Sequence, residues 1–168
     1  MCFGKIEPTE LQNNPFTMIG HDWFLITAEK DGKVNSMTAS WGGMGVMWGK
    51  NVVFIVIRPQ RYTKTFVDGS DCFSLSVLDS SYRKTLNYLG TVSGRDEQKI
   101  ENAGLTLIHD EAAPYFGEAN TVFVCKKLFA QQVEPDSFME QTEPQKWYPG
   151  EDYHVMYIAE IETLLVRS

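Results

Sequence analysis

Hydroxyl side chains recur at every second position in Ser36, Thr38 and Ser40, and two arginines, Arg58 and Arg61, stand three residues apart just ahead of Thr63. In an extended strand, side chains alternate between faces. Asn35, Met37 and Ala39 then share one face, and Ser36, Thr38 and Ser40 share the other. A whole face of hydroxyls either meets solvent or lines a ring rich in heteroatoms. Trp41 closes the run beside a cluster of glycines. An indole there either stacks on a planar ring or serves as a core or rim aromatic. The second group, Arg58-Pro59-Gln60-Arg61-Tyr62-Thr63, reads as the end of a strand and the start of a helix. Amide N–H groups at a helix start are unpaired and the helix dipole favours an anion, so this junction can hold a phosphate. The two groups together point to a phosphorylated, ring-bearing cofactor.

Weaker candidates lie further on. Ser93, Gly94, Arg95 and Lys99 offer donors for a phosphate or a polyol, or form a solvated loop. The three histidines, His21, His109 and His154, are scattered, and no metal-ligand spacing is visible, so no metal is expected. His154 opens the last strand and is a candidate polar contact at the cofactor. No Ser/His/Asp or Cys/His constellation is present, so no catalytic side chain is assigned. Gly42 to Gly49 is rich in glycine, but it has Trp48 where a dinucleotide fingerprint starting at Gly43 needs glycine, and it has no phosphate-loop lysine. It reads as a long loop whose methionines and Trp48 either form an adaptable apolar lip over a pocket or pack a long hairpin loop from within.

The elements that must position these residues are mostly strands. Residues 1–20 read as an irregular lead-in. Trp23 to Glu29 is a strand, Asp31-Gly32 a hairpin turn, and Val34 to Trp41 the returning strand. Asn51 to Ile57, nearly all β-branched or aromatic, is a buried central strand. Tyr62 to Val67 is helical, Phe73 to Leu78 a strand, and Asp79 caps a helix through Leu89 with Gly90 as its stop. A short helix through Asn102, a short strand over Leu105 to Ile108, and long strands over Thr121 to Val133 and Tyr153 to Val166 complete the chain. Glu134 to Asp152, with three prolines, Trp147 and Tyr148, reads as a surface excursion that covers a site or meets a partner subunit. The expected fold is mainly β: an antiparallel, nearly closed barrel with short helices, in one domain over 1–168.

Bulk properties narrow the function. The chain has 168 residues, 43% hydrophobic and 22% charged, enough to bury a core without disulfides. A net charge of −7 argues against nucleic acid or an anionic membrane as the main partner. Cys2, Cys72 and Cys125 make no CxxC pair, which fits a reducing, cytoplasmic setting. No signal peptide and no apolar run long enough to span a bilayer are read from the sequence.

Met37-Thr38-Ala39-Ser40-Trp41, followed by Arg58-Pro59-Gln60-Arg61-Tyr62-Thr63 and Phe73-Ser74-Leu75-Ser76-Val77-Leu78, resembles the flavin reductase-like family, most closely its flavoredoxin-type branch. Val92-Ser93-Gly94-Arg95-Asp96 with Lys99, and Tyr157-Ile158-Ala159-Glu160-Ile161, extend the resemblance over most of residues 20–165. The resemblance implies an FMN-binding split barrel and a homodimer with FMN near the subunit interface. It implies that Asn35, Met37, Thr38, Ala39, Ser40 and Trp41 run along the isoalloxazine and ribityl chain. It also implies that Arg58, Arg61, Tyr62 and Thr63 serve the phosphate end, helped by Ser93, Gly94 and Lys99. The expected activity is an FMN-dependent oxidoreductase in which NADH or NADPH binds transiently and a second acceptor takes the electrons. Two alternatives are a flavoredoxin-type electron carrier served by a redox partner protein, and a non-catalytic split-barrel module for flavin or haem. For haem, His21, His109 and His154 are the histidine candidates.

Overall fold

A computed structural model describes residues 2–167; Met1 and Ser168, the ends of the expected domain, lie outside the described residues. The strands are β1 (Phe3–Ile6), β2 (Phe24–Lys30), β3 (Lys33–Ala39), β4 (Gly42–Met47), β5 (Lys50–Ile57), β6 (Cys72–Val77), β7 (Leu107–Ile108), β8 (Tyr115–Phe116), β9 (Thr121–Gln132) and β10 (Val155–Arg167). The helices are α1 (Pro15–Thr17), α2 (Tyr62–Gly69), α3 (Arg83–Thr91), α4 (Lys99–Asn102) and α5 (Thr142–Trp147). The main sheet runs β3-β2-β6-β9-β10-β5-β4 and is antiparallel throughout. β1 pairs with the far half of β10, beyond the residues that β5 occupies. The two outer strands of this path, β3 and β4, are consecutive in sequence, joined through Ser40 and Trp41, yet do not pair with each other. The barrel is therefore split at that point. No helix of the described residues is long and apolar enough to cross a membrane.

Alternation builds the core. Phe24, Ile26, Ala28, Val53, Ile55, Ile57, Phe73, Leu75, Phe123, Cys125, Tyr157 and Ala159 point into the barrel, where Phe66 and Val67 of α2 join them. The opposite face of β2, β6 and β9 is also buried, under α3 and the β7–β8 hairpin, through Leu25, Val122, Val124, Leu86, Leu89, Tyr115 and Phe116. Strands covered on both faces carry no polar alternation except where hydroxyls find partners. Thr27 bonds Ser36 at 2.9 Å, Ser74 donates to the Pro114 carbonyl at 2.6 Å, and Ser76 accepts from the Phe116 amide at 3.3 Å.

Three expectations are corrected. The lead-in is ordered: β1 pairs with β10, and α1 leads into a π-turn over Met18–Asp22 that ends at Trp23 with φ +72°. The glycine-rich segment expected as a loop is a strand. β4 pairs with β5 from Gly42↔Ile55 to Met47↔Lys50, and Trp48 and Gly49, both at positive φ, make the tight turn. Gly42 and Gly43 fit cross-strand crowding: a Cβ on Gly43 would lie 2.2 Å from the Phe54 ring, and one on Gly42, at φ +153°, 2.5 Å from the Phe54 carbonyl oxygen. Third, α3 does not stop at Gly90 but runs to Thr91. A Cβ on Gly90 would lie 3.2 Å from that of Thr38, so this glycine serves the close approach of α3 to β3.

The split edge therefore depends on Gly42. Gly42→Ala should cost about 2 kcal/mol, a fall of about 4–8 °C in the thermal midpoint. Gly45→Ala, at a position where a Cβ meets nothing within 4 Å, should stay within about 1 °C. Circular dichroism melts of the two variants check the contrast.

Candidate functional site

β3 has a strand partner on one edge only, β2. Its other edge presents backbone N–H and C=O groups with no strand partner among the described residues. A cleft of about 240 Å3 opens along this edge at the split. One wall is Met37, Thr38, Ala39, Ser40 and Trp41; the end of β5 supplies Val56 and Arg58, with Arg61 and Gly90 alongside. Trp147 and His154 complete it. A second, apolar cleft of about 600 Å3 shares Ser40 and Trp41 and continues over Phe16, Ile19, Met44 and Phe54.

Eight of the expected site residues thus line one cleft: Met37, Thr38, Ala39, Ser40, Trp41, Arg58, Arg61 and His154. The other six form a layer beside it. Asn35 donates to the Thr63 hydroxyl at 2.9 Å, and both side chains are buried. Gly94 packs on this pair so tightly that a Cβ would lie 2.3 Å from Asn35 Oδ1 and 3.3 Å from Tyr62. Ser93 accepts from the Arg95 amide at 3.2 Å, and Arg95 lies over the Tyr62 ring at 4.5 Å. Lys99 is buried and donates Nζ to the carbonyls of Leu89 at 2.9 Å and Val92 at 3.0 Å.

The end of α3 organises these cations. Its last carbonyls have no helical partner and carry the negative end of the helix dipole. Lys99 takes Leu89 and Val92; Arg61 Nη1 takes Gly90 at 2.8 Å. Burial, and then the neighbouring charge of Arg61, lower the Lys99 ammonium to about 8. Burial also lowers Arg61. Arg61 is thereby anchored to a neutral acceptor on the cleft wall and keeps donors for an anion.

The segment over 134–152 supplies what the sequence motifs did not show. Trp147 meets Trp41 edge-on, ring centroids 4.9 Å apart, and Tyr148 bonds His154 Nδ1 at 2.8 Å. Arg58 is held to Asp152 and to the Trp147 carbonyl. The signal was the aromatic pair Trp147-Tyr148 inside a polar excursion; no periodicity tied it to Trp41. Of the histidines, only His154 lines this cleft. His21 pairs with Asp22, and His109 lies 3.4 Å from Glu29, both at exposed positions.

His154 is 8% exposed, and burial, followed by the charge of Arg58, pushes its pKa down to about 4. The folded protein therefore holds a neutral ring that the unfolded chain protonates near pH 6.5. Below pH 6.5 the unfolded state binds more protons, so this contribution to stability is present above pH 6.5 and is lost as pH falls toward 4. Thermal midpoints taken from pH 7 to 5, where most carboxylates are still ionised, should fall for the parent and fall less for His154→Gln.

The Ser36 hydroxyl is spent on Thr27 and that of Thr38 on the Leu86 carbonyl; the Ser40 hydroxyl, the open backbone edge, the Trp41 indole and the guanidiniums of Arg58 and Arg61 form a donor set around the cleft that fits a ring-bearing phosphate ester. An Aeropyrum pernix protein, itself described only as uncharacterized, is 34% identical over 99 residues, which span 57% of this chain and 37% of that relative. The chain thus spans little more than a third of that curated relative's length. Among solved structures, an FMN-binding domain of a flavin reductases-like enzyme from Shewanella baltica superposes with a TM-score of 0.71 at 19% identity, covering 98% of this chain and 77% of that one. Flavoredoxin of Desulfovibrio vulgaris superposes with a TM-score of 0.65 at 23% identity, covering 87% of this chain and 69% of that one. At these identities the structures establish a shared split-barrel fold. Residues 18–168 match the family described as the flavin reductase like domain, and the chain belongs to that family.

Proposed function

We propose that the protein is an FMN-dependent oxidoreductase that takes electrons from NADH or NADPH and passes them to a second acceptor. The observation that carries the reading is the convergence of Arg58 and Arg61 with the open edge of β3 and Trp41 on one cleft, in a chain of the flavin reductase-like family. FMN, when bound, supplies the hydride and single-electron chemistry. The chain's own residues then bind and orient. The β3 edge and the Ser40 hydroxyl meet ring heteroatoms, Arg61 and Arg58 hold the phosphate, and Trp41 and Trp147 bound the ring. The layer of Asn35, Thr63, Gly94 and Lys99 supports the phosphate end from behind. His154, neutral and bonded to Tyr148, presents a polar contact without charge.

A second reading is an electron carrier served by a redox partner protein. The edge-on contact of Trp147 with Trp41 favours it, since that contact narrows the cleft where a nicotinamide has to lie over the ring. Steady-state oxidation of NADH and NADPH with FMN present separates the two. Turnover with either donor supports the reductase. No turnover with either, together with reduction of bound FMN by a ferredoxin-type donor, supports the carrier. Binding is tested separately. Arg61→Met should weaken FMN by about 10- to 100-fold, the worth of a charge-assisted hydrogen bond, and leave riboflavin within about twofold in a fluorescence titration. An equal loss for both ligands would remove Arg61 from the phosphate end.

The apolar face beside the cleft supports a homodimer. Phe16, Val46 and Trp48 are 88%, 75% and 56% exposed, and Trp48 leans on Phe129 with ring centroids 6.2 Å apart. Exposed apolar side chains on α1 and the β4–β5 hairpin are costly to leave in water. A second copy covering them would also enclose the apolar cleft next to Trp41. Sedimentation velocity should give a dimer for the parent and a monomer for the Val46→Glu, Trp48→Glu double variant.

A further inference from the structure

Arg58 and Arg61 line the same cleft but are held in opposite ways. Arg61 donates to a neutral carbonyl, Gly90. Arg58 is engaged by a full negative charge. Its Nη1 is 2.5 Å from Asp152 Oδ1, and its Nη2 donates to the Trp147 carbonyl at 2.9 Å. The second carboxylate oxygen of Asp152 accepts from Gln60 Nε2 at 2.7 Å. Every side-chain hydrogen bond and ion pair of Arg58 among the described residues goes to Trp147 or Asp152, and its guanidinium lies 5.1 Å from the Tyr148 ring centroid. This one side chain thus ties the 147–152 segment to the end of β5, and the same segment places Trp147 against Trp41.

A guanidinium presents its donors in a planar fork that matches carboxylate and phosphate oxygens alike. It cannot give the same Nη donors to both. The pair is also partly solvated, with the Arg58 and Asp152 side chains 25% and 28% exposed, so the carboxylate can leave for water when another anion arrives.

We propose that Asp152 is an internal competitor for Arg58 and a specificity-determining residue of this site. It sets how strongly the cleft selects a phosphorylated ligand over the same ring without phosphate. A phosphate-bearing ligand exchanges Asp152 off Arg58, and the exchange loosens the 147–152 segment and withdraws Trp147 from Trp41. The proposal rests on the assignment of the cleft to FMN. It makes the segment over 134–152 responsive to the charge of the ligand rather than to its ring.

The test compares FMN with riboflavin on the parent and on Asp152→Asn, an isosteric change that keeps a hydrogen-bonding side chain beside Gln60. Dissociation constants come from fluorescence titration, and hydrogen exchange is followed over 142–152. Asp152→Asn should bind FMN about two- to fivefold more tightly, the scale of a partly solvated ion pair, with riboflavin unchanged. In the parent, FMN should speed exchange over 142–152 and riboflavin should not; in the variant, exchange should be fast without ligand. Equal or weaker FMN binding by the variant, or an equal change for both flavins, overturns the proposal. If the parent binds neither flavin, the FMN assignment fails. The competition is then judged by exchange with inorganic phosphate and in the unliganded variant, and unchanged exchange in both overturns it. Should Asp152→Asn lose its cooperative thermal transition, Gln60→Ala, which removes the other hold on the carboxylate, should shift FMN affinity in the same direction, and no shift would count against the proposal.

Discussion

The sheet cannot close between β3 and β4, and the rest of the molecule is arranged around that gap. Two residues, Ser40 and Trp41, carry the chain from one outer strand of the path to the other. A direct pairing of β3 with β4 would seal the barrel and remove the cleft. Instead, Gly42 turns at φ +153° close against the Phe54 carbonyl, and β4 pairs with β5 on the far side. An edge strand with free backbone groups is normally a liability for association. Here α3 approaches β3 closely, with Thr38 donating to the Leu86 carbonyl at 2.5 Å, and the remaining edge opens into the cleft.

Charge placement follows from that geometry. Bringing α3 against β3 points the negative end of its dipole at the part of the cleft that Arg61 and Gly90 line, which would repel an anion. Lys99 and Arg61 meet the carbonyls of Leu89, Gly90 and Val92 and set positive charge against that end. Their mutual repulsion and burial are tolerated because each finds carbonyl acceptors, and Lys99 shows the strain as an ammonium brought down to about 8. Two cations serve as helix cap and as an electropositive backing layer at once. The excursion after β9 adds a second layer, in which its aromatic and acidic residues reach back to Trp41, His154 and Arg58 across the end of β5.

Much of the fold was legible from local patterns. The Asp31-Gly32 turn sits where both residues take positive φ, and the β-branched run before Pro59 is a central strand. The β4 strand was not legible, because glycine is depleted in strands and only the facing Phe54 ring explains Gly43. Gly90 misled for the same reason. A glycine after an amphipathic helix signals a stop, whereas its use here is contact with a strand about fifty residues earlier. In the site, the residues of β3 and the Arg58–Thr63 junction were found by type and spacing. Their division into cleft wall and supporting layer was not, since Thr63 faces Asn35 only because α2 packs against β3.

The sequence by itself determined most of the long strands, though not β1 or β4, the hydroxyl and arginine groups, and through its motifs the family, because these depend on neighbours two to four residues apart. Tertiary structure decided which donors face the cleft, that Arg58 meets Asp152 while Arg61 meets Gly90, and that Trp147 lies on Trp41. Those contacts join residues about thirty to over a hundred positions apart. No local propensity encodes such pairings; they exist only once the split sheet and α3 have fixed where each strand end lies.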